Sequence, residues 1–354
     1  MSKQIVVVGA GVIGLTCAWI LSEKGYKVTI VANRFPSTFN DDIDYTSPWA
    51  GAHFRPFPST NEGDLKDFPL TRVTFDVLKE ISAKFPESSV KFMKGIDYVE
   101  ADEELYSSLS TGYAEGLKNF EIISKELLPK NVKFGAKYDS WCLNSPLYLQ
   151  FLERRLRMYY GVEFVNSTVV SLKAISQNFP NSSIINCTGL GLRYHGGYDS
   201  KCFQVRGQTL LVRPPKNCSY KNMTVTHRLP GGKYSFVIPR PFDGGIIVGG
   251  TRQPGVLTAA TNYEDKEELI KNAMERFPEL IIYDDNSNPT LDVKKINVGF
   301  RPMRQGGVRL EKERIPNSSN SIIHCYGFGS SGFEMSWGAA ELVFKLVEDV
   351  QSKF

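Results

Sequence analysis

The segment that most restricts this chain is its first stretch, "QIVVVGAGVIGLTCAWILSEKGYKVTIV", residues 4–31. Ile5 to Val8 is an unbroken apolar run, as a strand covered on both faces should be. Gly9, Gly11 and Gly14 follow with the spacing GxGxxG, ahead of an amphipathic helix, and Lys27 to Val31 reads as a second strand. Each glycine answers a steric need: Gly9 a tight turn, Gly11 the approach of a pyrophosphate to backbone, Gly14 the packing of helix on strand. The helix start offers unpaired N–H groups and the positive end of a dipole to phosphate oxygens. Gly9, Ala10, Gly11, Val12, Ile13 and Gly14 are therefore the expected dinucleotide-binding turn. The second strand ends on Ala32-Asn33-Arg34, where an acidic residue usually holds the adenosine ribose. Asn33 can still bond a hydroxyl and Arg34 can reach adenine or phosphate, so this motif leaves NAD and FAD both open.

A length of 354 residues suits two domains, or one large α/β unit with an insertion. The net charge of +4 is too slight to propose nucleic acid, and there is no basic run. No apolar run approaches the roughly 18 residues of a membrane span. The N-terminal apolar run holds the glycine motif and no cleavage site, so a secretory signal is not expected. The six cysteines are scattered without a CxxC pair, which predicts reduced thiols and no metal centre.

Beyond the first unit, "YTSPWAGAHFRPFPS" reads as a loop of small residues able to lie against a flat ligand. Leu65 to Phe85 is a predicted helix with Leu70, Val73, Val77, Leu78 and Ile81 on one face. A second helix is predicted from Ser145, as N-cap with Pro146 next, to about Tyr160. "VEFVNSTVVSL" and "SIINCTG" read as strands, the latter ending at Gly189, as do Gly207 to Arg213, Tyr234 to Ile238 and Gly245 to Gly249. Glu264 to Phe277 is helical, and the chain closes with strand, glycine loop and helix. The pattern predicts an α/β fold. Its Rossmann-like cofactor domain is assembled from residues 1–55, 143–192 and 293–354, and a β-rich substrate domain, residues 56–142 and 193–292, is inserted into it.

In order along nearly the whole chain, "VVVGAGVIGL", "YTSPWAGA", "INCTGLG", "VRGQTLLV", "VGFRPMRQGGVRLE" and "HCYGFGSSGFEMSWGAAE" resemble the D-amino-acid oxidase family of flavoproteins. The resemblance implies a substrate domain of mixed sheet and non-covalent FAD lined by Thr46, Ser47, Ala50, Gly51 and Ala52, with Gly329, Ser330, Ser331, Gly332, Phe333 and Glu334 on its other side. It implies oxidative deamination of a D-amino acid to a 2-oxo acid, with ammonia and hydrogen peroxide. Arg301 of "GFRP" is then the guanidinium that holds the α-carboxylate, a task suited to a planar bidentate donor, and the Ser330 carbonyl holds the amine. For Arg304 and Arg309, structural ion pairs are expected. Where the family carries a carboxylate-binding tyrosine this chain has Phe236, and Tyr234 or Tyr220 is expected to substitute.

Substrate choice turns on "VGGTRQPG", which is similar to D-aspartate oxidases and implies that Arg252 meets the side-chain carboxylate, with Arg228 as a second cation and His53 beside them. The alternative is a broad oxidase of neutral D-amino acids, with Arg252 paired to an acid such as Asp243. No role is evident for Glu334, whose charge would oppose an anionic substrate. Ser352-Lys353-Phe354 resembles the Ser-Lys-Leu peroxisomal address, and a peroxide product agrees with import to the peroxisome rather than residence in the cytoplasm. The sequence leaves a homodimer open.

Overall fold

Two large sheets organise the chain. The computed structural model describes residues 4–102, 104–315 and 320–348; Ser352-Lys353-Phe354 lies outside them. The smaller sheet has six strands in the order Arg309–Arg314, Ser321–Tyr326, Ser183–Asn186, Gln4–Val8, Lys27–Ala32, Glu163–Asn166. All its pairings are parallel except the first. Ile5, Val6, Val7 and Val8 are buried on both faces, which accounts for their unbroken apolar run. Helices cover this sheet. Val12–Glu23 packs on Gly332–Glu348 through Trp19 and Trp337, whose ring centroids lie 5.4 Å apart edge to face.

The larger sheet has nine strands. Its path runs Gln253–Pro254, Cys202–Val212, Ile246–Gly249, Tyr234–Pro239, Met223–Arg228, Lys91–Val99, Phe134–Cys142, Glu121–Ile122, with Val293–Arg304 along the free side of Cys202–Val212. The mixture is real, since Lys91–Val99 runs parallel to Met223–Arg228 and antiparallel to Phe134–Cys142. Val293–Arg304, assigned from sequence to the last cofactor segment, belongs to this larger sheet. The reason is its length: an 11-residue partner strand needs an equally long neighbour to satisfy its amides.

Several sequence expectations meet local competition. The helix expected over Leu65–Phe85 spans Glu62–Lys84 and buries Leu70, Leu78 and Ile81, whereas Val73 is exposed. Asn144, not Ser145, is the N-cap of Ser145–Met158, because the Ser145 hydroxyl donates instead to the Ala50 carbonyl at 2.5 Å. The strand expected through Val169 to Leu172 stops at Asn166, and Ser171 instead caps a short helix, its Oγ accepting from the Ala174 amide. Most consequentially for the cysteines, the scattered Cys17, Cys187 and Cys325 are brought together in the core, their sulfurs within 4.8 Å of one another. None of the described cysteines is in a disulfide. No described helix is long and apolar enough to cross a membrane.

Candidate active site

Alternate residues of a strand share a face. On the larger sheet that rule turns Gly207 and Thr209, Thr226 and Arg228, Tyr234, Phe236 and Ile238, and Asn297, Gly299, Arg301 and Met303 toward one cavity of about 1100 Å³. Its other walls include the loop from Thr46 to Arg55, the following segment to Asp67 and the turn from Gly327 to Met335. Of the residues expected at the site, Thr46, Ala50, Gly51, Ala52, His53, Arg228, Tyr234, Arg301, Gly329, Ser330, Ser331, Phe333 and Glu334 line it. Tyr220 does not; it packs on Phe277 with ring centroids 5.5 Å apart.

Arg301 lies across Gly207. A Cβ at Gly207 would stand 2.5 Å from both Nη atoms, so the glycine is the space in which the guanidinium rests. The guanidinium donates only to the carbonyls of Arg206 (3.4 Å) and Thr251 (3.2 Å), and among the described residues no carboxylate pairs with it. Burial, and then the nearby charge of Arg252, depress its pKa. A cation enclosed in this way has lost several kcal/mol of hydration and is set to receive an anion. Arg304 and Arg309 are committed elsewhere, as expected of structural ion pairs. Arg304 meets Asp199 at 2.9 Å, and Arg309 meets Glu311 at 2.7 Å and Glu313 at 3.0 Å.

Arg252, the expected partner of a side-chain carboxylate, is exposed and lines no part of the cavity. The strand Ile246–Gly249 has ended before it, so strand alternation no longer aims its side chain inward. Arg228 does face the cavity, paired in register with Tyr234 and donating to the Tyr234 hydroxyl. Its guanidinium lies 5.1 Å from the Tyr234 ring centroid. Tyr234 and Phe236 share the inward face, so a phenolic oxygen is present one strand period from Phe236.

Burial pushes the Glu334 carboxyl up to about 7, against the opposing pull of the Arg55 amide, the Arg55 and Arg72 charges and Ser331. The Arg55 N–H donates to Glu334 Oε1 at 2.7 Å. A carboxyl that is only partly ionised near pH 7 exerts less repulsion on an anionic substrate than a fixed charge would. Because the folded chain holds this proton more tightly than the unfolded one, stability falls as pH rises from the ordinary glutamate range through about 7. Glu334→Gln is therefore expected to raise Tm relative to the parent at about pH 8 and to lose that advantage near about pH 5. His53 is pushed the other way, down to about 3, by burial and then by Arg55, so it faces the cavity as a neutral imidazole.

The residues present fit a flavin dinucleotide. Gly9 has φ +105°, and a Cβ there would meet the Cys187 carbonyl oxygen at 2.5 Å; one at Gly14 would meet the Gly9 oxygen at 2.0 Å. Only glycine permits this cradle. The Val12 amide at the helix start donates to the Ser47 hydroxyl oxygen at 3.1 Å, joining the glycine turn to the cavity loop. Thr46 Oγ1 donates to the Phe300 carbonyl (3.0 Å), and Arg240 holds the carbonyls of Pro48 (3.2 Å) and Ala50 (3.0 Å), so the loop is fixed in place. Within the cavity wall, His53 Nδ1 and Asn297 Nδ2 are buried and lack a hydrogen-bond partner among the described residues, which suits a ligand carrying ring nitrogens and carbonyls. Gly189 and Gly332 stand outside the cavity lining, Gly189 against Pro302 and Gly332 against Val12. Asn33 and Arg34 are exposed at the strand end, and Arg34 is engaged by Asp42 and the Asn33 carbonyl.

Sequence reasoning missed Arg55, Asn297, Gly207 and Arg240. Arg55 was legible in principle, because it stands two residues after His53, the spacing that puts both on one side of an extended segment. Asn297 and Gly207 become visible only when their strands are set in register, Gly299 opposite Gly207.

The profile of the FAD dependent oxidoreductase family matches residues 4–346. The chain is 34% identical to a D-aspartate oxidase of Talaromyces thermophilus, covering 98% of this chain and 95% of that one. It is 32% identical to a D-amino-acid oxidase of Schizosaccharomyces pombe, with 96% and 94% covered. Among solved structures it shares its fold with glycine oxidase from Geobacillus kaustophilus, at a TM-score of 0.72 and 16% identity over 98% of this chain and 95% of that one. A glycine cradle, a cavity lined by Arg301 and matches over nearly the full length together place this chain in the FAD dependent oxidoreductase family, with the D-amino-acid and D-aspartate oxidases.

Proposed function

We propose that this protein is an FAD-dependent oxidase of D-amino acids that prefers acidic substrates, D-aspartate and D-glutamate. The observation that carries the reading is Arg301, a guanidinium in the cavity wall without an acidic partner among the described residues. It takes the α-carboxylate bidentately. Ser330, at the cavity end of the turn after Gly329, offers its carbonyl to the amine. Two fixed points on one α-carbon leave a single hand free to present hydrogen, and this selects the enantiomer. Bound FAD supplies the two-electron acceptor for the α-hydrogen, and its reoxidation by oxygen gives hydrogen peroxide. The imino acid leaves and hydrolyses to the 2-oxo acid and ammonia.

Arg228, in the same wall, supports the acidic preference, as does the similarity to a D-aspartate oxidase. A second carboxylate without a cation costs several kcal/mol, and an apolar side chain leaves the cation without a partner. Tyr234, whose hydroxyl accepts from Arg228, belongs on this reading with the side-chain end of the site rather than with the α-carboxylate. The cofactor domain, on this reading, comprises residues 1–55, 143–192 and the chain after Arg304, with the nine-stranded sheet as the substrate domain. Anaerobic addition of D-aspartate is expected to bleach the flavin at least about tenfold faster than D-alanine. Equal rates would replace the acidic reading by that of a neutral oxidase, and no reduction by any D-amino acid would end the oxidase reading.

A further inference from the structure

Arg55 is a cation without a settled employment. Its backbone amide is given to Glu334, yet among the described residues its guanidinium makes no hydrogen bond and no ion pair. It lines the cavity and lies 5.1 Å from the centroid of the Tyr234 ring. Arg228 lies at the same 5.1 Å from that centroid and also donates to the Tyr234 hydroxyl. Tyr234 thus carries two guanidiniums. Two like charges in a cleft with low-dielectric walls focus a positive potential at this end of the cavity, and such a field draws an anion.

The acidic groups around Arg55 leave its donors unused. Asp97 is buried behind the site, where its two oxygens accept from Tyr113 (3.3 Å) and Tyr138 (3.1 Å). Burial raises its pKa, with Arg55 as the first opposing influence. Glu334 takes the Arg55 amide and is held near neutrality. Burial works against the charge of Arg55, but Tyr106, Asp97, Tyr138 and Glu334 keep its pKa above the ordinary range. The cation therefore stays charged and keeps its donors for a ligand.

The spacing of the strands beneath the two ends suits a short diacid. The Arg301 guanidinium rests over Gly207, on the strand Cys202–Val212. Tyr234 stands two strands away across Ile246–Gly249, a spacing of roughly 10 Å in a sheet. That span admits a four-carbon diacid with one hydrogen bond at each end. We propose that Arg55, together with Arg228 and in place of the exposed Arg252, binds the side-chain carboxylate of the substrate. This inference rests on the oxidase reading above and names the residue that sets its specificity.

The test compares D-aspartate with its uncharged isostere D-asparagine on FAD-loaded enzyme, in the parent and in Arg55→Gln, Arg55→Lys and Arg252→Ala. Arg55→Gln is expected to lower the ratio of kcat/KM for D-aspartate over D-asparagine by at least about 50-fold, Arg55→Lys to recover part of it, and Arg252→Ala to leave it within about twofold. A second readout needs no turnover: perturbation of the flavin spectrum by succinate against butyrate. The parent should bind succinate at least about tenfold more tightly, and Arg55→Gln should erase that difference. A ratio unchanged in Arg55→Gln overturns the proposal, as does an equal loss on both amino acids or a loss of the ratio in Arg252→Ala instead. Should Arg55→Gln fail to fold, an unchanged ratio and unchanged succinate preference in Arg55→Lys would overturn it equally. A parent enzyme that oxidises no D-amino acid, yet keeps the succinate preference through Arg55, would sink the oxidase reading and leave the two-cation site standing.

Discussion

Arg301→Lys is expected to lower kcat/KM for D-amino acids by about 10²- to 10⁴-fold while FAD stays bound, because truncating one side of a buried charge pair costs about 3–5 kcal/mol. Lysine keeps the charge and loses the fork. Its single ammonium cannot give two parallel bonds to a carboxylate, nor can it replace the planar group that lies over Gly207. Gly207→Ala should reproduce the defect from the opposite side, since its Cβ would occupy space now taken by both Nη atoms. Rapid-mixing measurement of flavin reduction separates the two outcomes of interest. Loss in the reductive half-reaction with normal reoxidation by oxygen is expected. Unaltered reduction by Arg301→Lys would remove this residue from the site.

Gly14→Ala is expected to give a protein that purifies without colour. The added carbon would stand 2.0 Å from the Gly9 oxygen, and that backbone has nowhere to go. The Gly9 amide is tied to the Val31 carbonyl and the Cys187 amide to the Val8 carbonyl, each at 2.9 Å. The helix must therefore shift as a body, at a cost of about 1–3 kcal/mol, or about 10- to 100-fold in FAD affinity. Flavin absorbance after gel filtration, followed by FAD titration, reads this directly. Retention of stoichiometric flavin would show that the turn is not the pyrophosphate seat.

How far the sequence could be read depended on how local the determining contacts are. The first strand, glycine turn and helix depend on neighbours within 30 residues, and their outline was legible from periodicity and glycine spacing alone. Tyr234 was legible for the same reason, as strand alternation places it on the face of Phe236. Arg252 was named from the likeness of "VGGTRQPG" to D-aspartate oxidases, and a motif carries no information on exposure: the strand ends at Gly249 and the side chain stands exposed, outside the cavity lining. Ser145 was read as a cap because the rule considers only its own helix, while a carbonyl 95 positions earlier claims the hydroxyl. The convergence of Cys17, Cys187 and Cys325 lay beyond any spacing rule, for they stand on a helix, a strand end and a strand that only the parallel sheet makes adjacent.

The order of the smaller sheet bears on how the chain is made. Its central strand, Gln4–Val8, is synthesised long before one neighbour, Ser183–Asn186, and longer still before Ser321–Tyr326. For most of synthesis the glycine turn therefore sits beside an edge of unpaired amides, where mispairing with other nascent chains is the hazard. A transcript truncated just before Ser321 would yield a polypeptide that carries the fingerprint yet lacks Ser330 and Glu334, with its seat for the flavin left open on one side. The wall formed by residues 327–335 is among the later parts of the site to be made, and free FAD should rescue folding only of chains that already carry it.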